Sequence, residues 1–108
     1  MRFKNKVVIV TGSRRGIGKA TAILFAKEGA KVVVNASILD NESKSVVNEI
    51  KKHGSEAIAI KGDVSDERQV KQMVEKTIKT FSRIDILVNN LSLTVQPLFW
   101  HENQFDSW

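Results

Sequence analysis

Apolar positions along the chain fall into two patterns that alternate. Short, nearly unbroken apolar runs occur at Val7-Val8-Ile9-Val10, Val32-Val33-Val34, Ala57-Ile58-Ala59-Ile60 and Ile84-Asp85-Ile86-Leu87-Val88. Runs this short without regular polar alternation suit strands buried on both faces of a parallel sheet. Between them lie longer segments of helical spacing. Lys19 to Lys27 is rich in helix formers and is followed by the stop Gly29. Asp40 or Asn41 can cap a second helix that runs to about His53, with Val46, Val47 and Ile50 as its buried stripe and Gly54 at its end. Ser65 is a good N-cap for a third, where Val70, Met73, Val74, Thr77, Ile78 and Phe81 make one continuous face. The order βαβαβαβ predicts an α/β fold: a doubly wound, Rossmann-like parallel sheet with strand order 3-2-1-4.

Thr11-Gly12-Ser13-Arg14-Arg15-Gly16-Ile17-Gly18 joins the first strand to the first helix. Strand, glycine turn and helix present free backbone N–H groups and the positive end of a helix dipole to an anion. Gly12 lets the chain leave the strand, Gly16 allows close approach of a ligand, and Gly18 lets the helix press on the strand. The spacing is G-x-x-x-G-x-G. It is neither the G-x-G-x-x-G fingerprint nor a P-loop, so a plain buried corner stands beside phosphate binding as a reading of this stretch. Strand order 3-2-1-4 puts the turn, Asn89-Asn90 after strand 4 and Asp63 after strand 3 on one sheet edge, where a doubly wound fold opens its ligand crevice. For Asp63 by itself, a turn or capping role is the alternative.

Composition narrows the class. The chain has 108 residues, which is one domain or less, and 42% of them are hydrophobic, enough for a packed core. No apolar run approaches the ~18 residues needed to span a membrane, and the N-terminus has no secretory pattern, so a cytoplasmic protein is expected. Cysteine is absent, and His53 and His101 lack ligand spacing, so no metal site is expected. The net charge of +5 invites a nucleic-acid reading. Most lysines and arginines, however, fall on polar helix faces with acids nearby and without interleaved aromatics, so a solvated basic surface is expected instead.

Three stretches together resemble the short-chain dehydrogenases/reductases: Thr11 to Gly18 as the T-G-x-x-x-G-I-G turn, Asp63-Val64 as the adenine-ring aspartate and its neighbour, and Asp85-Ile86-Leu87-Val88-Asn89-Asn90 as strand 4 leading into N-N-A-G. The nearest branch resembles the 3-oxoacyl-[acyl-carrier-protein] reductases and the related glucose and hydroxysteroid dehydrogenases. The resemblance implies a nicotinamide dinucleotide as coenzyme. Thr11, Gly12, Ser13, Arg14, Arg15, Gly16, Ile17 and Gly18 would line its pyrophosphate and adenosine ribose. Asp63 would bond the adenine amino group with Val64 against the ring, Asn90 would hold a ribose, and Asn89 would tie strand 4 to its neighbours. Leu91-Ser92 stands where the family has Ala-Gly, which puts bulk beside the coenzyme.

Coenzyme choice has a physical handle. An acid at the end of strand 2 would bond an NAD ribose and repel a 2′-phosphate. Asn35-Ala36-Ser37 stands there with no acid, while Arg14 and Arg15 supply cations and Ser37 a hydroxyl. NADP(H) is therefore expected over NAD(H). The family's catalytic serine and its Tyr-x-x-x-Lys pair have no counterpart in these residues, and the chain contains no tyrosine. Residues 1–108 are accordingly expected to form a partial dinucleotide-binding domain, truncated before the catalytic half. It would contain no catalytic residue and would be the coenzyme-binding portion of a carbonyl or 3-oxoacyl reductase-like enzyme, inactive alone. The alternative is a non-catalytic nucleotide-binding or interaction module. Residues 101–108 read as a helix beginning. Strand 4 is expected to be left as an edge, with apolar surface around Leu87, Val88, Leu91, Leu93 and Phe99, so that a homo-oligomer or a complementing chain would cover it.

Overall fold

The computed structural model describes residues 2–90 and the backbone of residues 94–100. The chain runs β1 (Val7–Val10), α1 (Gly16–Lys27), β2 (Lys31–Ala36), α2 (Asn41–Lys52), β3 (Ala57–Lys61), α3 (Glu67–Phe81), β4 (Ile84–Asn89) and β5 (Thr94–Trp100). The sheet order is β3-β2-β1-β4-β5, and the first four strands are parallel. The doubly wound core, 3-2-1-4, is thus as the apolar periodicity predicts.

Alternation along the strands divides the core into two layers. Val8, Val10, Val32, Val34 and Val88 pack with Ala22 and Ala26 of α1 and with Val46 and Ile50 of α2. Ile9, Val33, Ile60 and Ile84 pack on the other face against Val70, Met73, Val74 and Ile78 of α3. All four residues of β1 are buried because both layers need them. Short unbroken apolar runs are the sequence form of that demand.

Helix starts depart from the expected pattern at one place. Asp40 caps α2, accepting from the Glu42 and Ser43 amides. For α3 the cap is Asp66, which accepts from the Arg68 amide. Ser65, the cap expected from sequence, instead donates its amide (2.9 Å) and its hydroxyl (2.7 Å) to Asp63 Oδ1. Asp63 is the stronger acceptor two residues upstream, and it pulls Ser65 into the preceding turn.

The expectation of an exposed β4 is overturned. Residues Thr94–Trp100 return antiparallel along it, with Asn89 opposite Thr94, Val88 opposite Val95 and Ile86 opposite Pro97. The sheet therefore ends on β5 at this side, and association through a bare β4 loses its ground. Pro97 is compatible with this placement, because an outermost strand can leave a missing N–H facing away from the ladder. Leu91, Leu93, the side chain of Phe99, and the helix expected at 101–108 lie outside the described residues. At the opposite edge, Lys44, Lys51 and Lys76 flank β3. Lysines beside an outer strand discourage edge-to-edge pairing, which gives part of the net positive charge a structural reason.

Candidate coenzyme site

The carboxyl ends of four strands are tied into one platform by side chains that the backbone ladder does not supply. Thr11 joins β1 to β4. Its amide donates to the Val88 carbonyl at 3.0 Å, its hydroxyl donates to the same carbonyl at 3.3 Å, and it accepts from the Asn90 amide at 3.0 Å. Asn90 closes the loop by donating from Nδ2 to the Gly12 carbonyl at 3.3 Å. Gly12 has φ of +59°, the left-handed region that favours glycine, and a Cβ added there would lie 3.4 Å from Asn90 Nδ2.

Asn35, buried at the end of β2, joins that strand to the ends of β1 and β3. Its Oδ1 accepts from the Gly12 amide at 3.2 Å, and its Nδ2 donates to the carbonyls of Ile60 (3.3 Å) and Gly62 (3.2 Å). Ser13 completes this knot. Its hydroxyl donates to the Val10 carbonyl at 2.7 Å and accepts from the Asn35 amide at 3.0 Å, while its own amide donates to the Asn35 carbonyl at 2.9 Å. Ser13 is fully buried, so its side chain braces the turn from beneath and presents nothing to a ligand.

Above the knot the turn is open. α1 begins at Gly16 with Arg15 as its N-cap, without a capping side chain and without an acid in its first turn. The other two helices have both. Among the described residues, the amides of Arg14, Arg15, Gly16, Ile17 and Gly18 have no hydrogen-bond acceptor. Five donors and a helix dipole converge there with nothing anionic supplied by the chain's own cap. Gly18 makes the arrangement possible. A Cβ there would stand 2.1 Å from the Gly12 carbonyl oxygen and 3.0 Å from Ser13 Cα, so only glycine lets α1 seat directly on the turn.

The remaining predicted residues take varied places. Asp63 lies just past β3, next to the Gly62 held by Asn35. Its carboxyl is kept below the ordinary value first by the Ser65 hydroxyl and then by the Ser65 amide, so it is an anion at neutral pH with Oδ2 available as an acceptor. Val64 is half-buried against the α3 layer of the core. Asn89 belongs to β4, and Ser37 is exposed beyond β2. Ile17 projects from the first turn of α1 with 66% of its surface exposed. Arg14 and Arg15 lean toward the start of α2. Together with Lys19, Asn41, Glu42 and Ser45 they line an open hollow of about 240 Å³.

Two positioning residues escape a reading for ligand chemistry. One is Asn35, whose only signal is an amide side chain ending an otherwise apolar run. The other is Asp85, which is buried, accepts from the Val7 amide at 2.9 Å and pairs with Arg83 at 2.5 Å, fixing the start of β1 beside β4. An acid inside a buried strand is its signal, since such a group needs partners. Among the described residues no cluster of groups fit to hold a metal ion occurs, and no helix is long and apolar enough to cross a membrane.

Known proteins are similar to this chain in sequence and fold. The family model for short chain dehydrogenases matches residues 6–108. A 3-oxoacyl-[acyl-carrier-protein] reductase of Synechocystis is 47% identical over 93 residues, which is 86% of this chain and 38% of that protein. A short-chain dehydrogenase/reductase homolog of Bacillus subtilis is 44% identical over 94 residues, 87% of this chain and 86% of the homolog. The crystal structure of a short chain dehydrogenase from Mycobacterium avium superposes with a TM-score of 0.80 at 39% identity, covering 83% of this chain and 34% of that one. This chain spans a little over a third of the Synechocystis reductase but most of the Bacillus homolog. With the strand order, the glycine turn and the Thr11–Asn90 tie in place, the chain belongs to the short-chain dehydrogenases, a family of oxidoreductases that use nicotinamide dinucleotides.

Proposed function

We propose that residues 1–108 bind NADP(H) at the turn between β1 and α1, as the coenzyme-binding portion of a carbonyl or 3-oxoacyl reductase-like oxidoreductase. One observation carries the reading. Among the described helices the first alone starts without a capping side chain or an acid, over a run of unpaired amides from Arg14 to Gly18. Those donors fit a pyrophosphate. Asp63 offers a carboxylate oxygen to an amino group, as adenine has, and Arg15 offers an exposed guanidinium to a 2′-phosphate. Asn90 holds the Gly12 carbonyl and is itself held by the Thr11 hydroxyl, which keeps the floor of the site fixed.

A bound nicotinamide supplies hydride transfer to or from a carbonyl carbon. What these residues contribute is binding and orientation. No tyrosine occurs in the sequence, so none can act as the proton donor within it. The same observation favours a second reading, a nucleotide-binding module without chemistry of its own. Under either reading the 108 residues are expected to give no turnover of 3-oxoacyl or simple ketone substrates in an NADPH absorbance assay.

Preference for NADP(H) rests on Arg15 beside the turn and on the lack of an acid at Asn35-Ala36-Ser37. Arg15→Ala is expected to lower the ratio of NADPH to NADH affinity by about tenfold, the worth of a hydrogen bond to a charged group. Calorimetric titration with each coenzyme measures the ratio. A ratio that stays constant removes Arg15 from the 2′-phosphate contact.

A further inference from the structure

The two arginines of the turn are not equivalent. Arg14 Nη1 lies 2.6 Å from Asp40 Oδ2, and its side chain is only 18% exposed. Asp40 is itself fixed, because its other carboxylate oxygen accepts from the Glu42 and Ser43 amides as the cap of α2. Arg14 is thus a strut between the glycine turn and the start of α2. Arg15 is held loosely: its Nε lies 3.8 Å from Glu42 Oε2, beyond hydrogen-bond reach, and its side chain is 68% exposed. The other oxygen of Glu42 lies 3.9 Å from Arg14 Nη1. Glu42 therefore sits between both guanidinium groups without a close bond to either. The three residues share the open hollow with Lys19, Asn41 and Ser45.

We propose that Glu42 is a resident counter-ion of the 2′-phosphate subsite: it neutralises Arg15 until a 2′-phosphate displaces it, and so narrows the preference for NADP(H) over NAD(H). The inference rests on the coenzyme reading above and adds an opposing group to it. A phosphate dianion entering beside Arg15 meets a carboxylate already using that charge. It must break the pair and then lie near a like charge. A 2′-hydroxyl meets neither penalty. Arg14 does not compensate, because Asp40 holds its guanidinium. An exposed ion pair is weak, so the penalty is modest and the pair exchanges readily.

Glu42→Gln keeps the size of the side chain and removes its charge. The Asp40 cap stays intact, and loss of an acid from the first turn of α2 lowers the melting temperature only slightly. The expected result is a rise of about two- to fivefold in the NADPH-to-NADH affinity ratio, the size of an exposed pair. Adenosine 2′,5′-bisphosphate should gain on adenosine 5′-monophosphate by a similar factor. In the Arg15→Ala background the gain should largely vanish, since the charge that Glu42 occupies is gone. A merely helix-stabilising Glu42 would move thermal stability without moving either ratio. A parent ratio that Arg15→Ala lowers and Glu42→Gln leaves constant overturns this inference while the coenzyme reading stands. A parent chain that binds neither NADPH nor adenosine 2′,5′-bisphosphate overturns both.

Discussion

Gly18→Ala is expected to cost at least about 3 kcal/mol of folding stability, the upper end of what overpacking costs. A Cβ at this position would stand 2.1 Å from the Gly12 carbonyl oxygen and 2.9 Å from its carbon. Both are backbone atoms, so no rotamer change relieves the overlap, and α1 must lift from the turn or the turn must move. Neither movement is free. The Gly12 carbonyl accepts from Asn90, the Gly12 amide donates to Asn35, and the helix buries Ala22 and Ala26 against β1 and β2. For a domain of this size the loss appears as a fall in melting temperature of roughly 10–20 °C. The open amides from Arg14 to Gly18 would move with the helix, so coenzyme affinity falls alongside stability. A melting curve that matches the parent would mean that α1 does not seat on the turn as described.

Asn35→Leu is expected to lower stability by about 2–4 kcal/mol, because three backbone groups, two of them buried, lose a partner at once. Those groups are the Gly12 amide and the Ile60 and Gly62 carbonyls. Leucine has the branched heavy-atom skeleton of asparagine, so the outline of the side chain is kept while its hydrogen bonds are lost. Asn35→Asp separates the contributions. The carboxylate still accepts from the Gly12 amide, but it cannot donate to the two carbonyls and it brings a charge into a buried position. It is expected to be destabilised as well. Equilibrium denaturation by urea measures both variants, and parent-like midpoints would show that the knot beneath the turn carries little of the fold.

How far the sequence speaks for itself follows from where each residue points. The four parallel strands and three helices are legible because burial on two faces demands unbroken apolar runs, and helix faces demand their own period. The glycine turn is legible because positive φ and close backbone approach leave few alternatives to glycine. β5 is not legible. Thr94–Trp100 contains a proline, and its place is set by pairing with β4, a partner that propensity does not name. The roles of Ser13 and Arg14 are hidden for a related reason. Ser13 reads as a ligand-facing hydroxyl beside glycine, but the end of β2 takes its hydrogen bonds. Arg14 reads as a free cation, but Asp40, far off in sequence, has already used its charge. Motif spacing places residues at a site. Which of their atoms remain available is decided by neighbours from other strands.

The central claim is that the uncapped start of α1 receives the coenzyme's phosphates. Titration of NADPH into the isotopically labelled 108-residue chain, followed by amide resonances, tests it most directly. The amides of Arg14 to Gly18 are expected to shift in a saturable way and to become protected from exchange, with smaller shifts at Asp63 and Asn90. The amides around Lys51 and Lys76 at the far edge should stay in place. Saturable shifts confined to that lysine-flanked edge, or no saturable shift at the turn, would contradict the account.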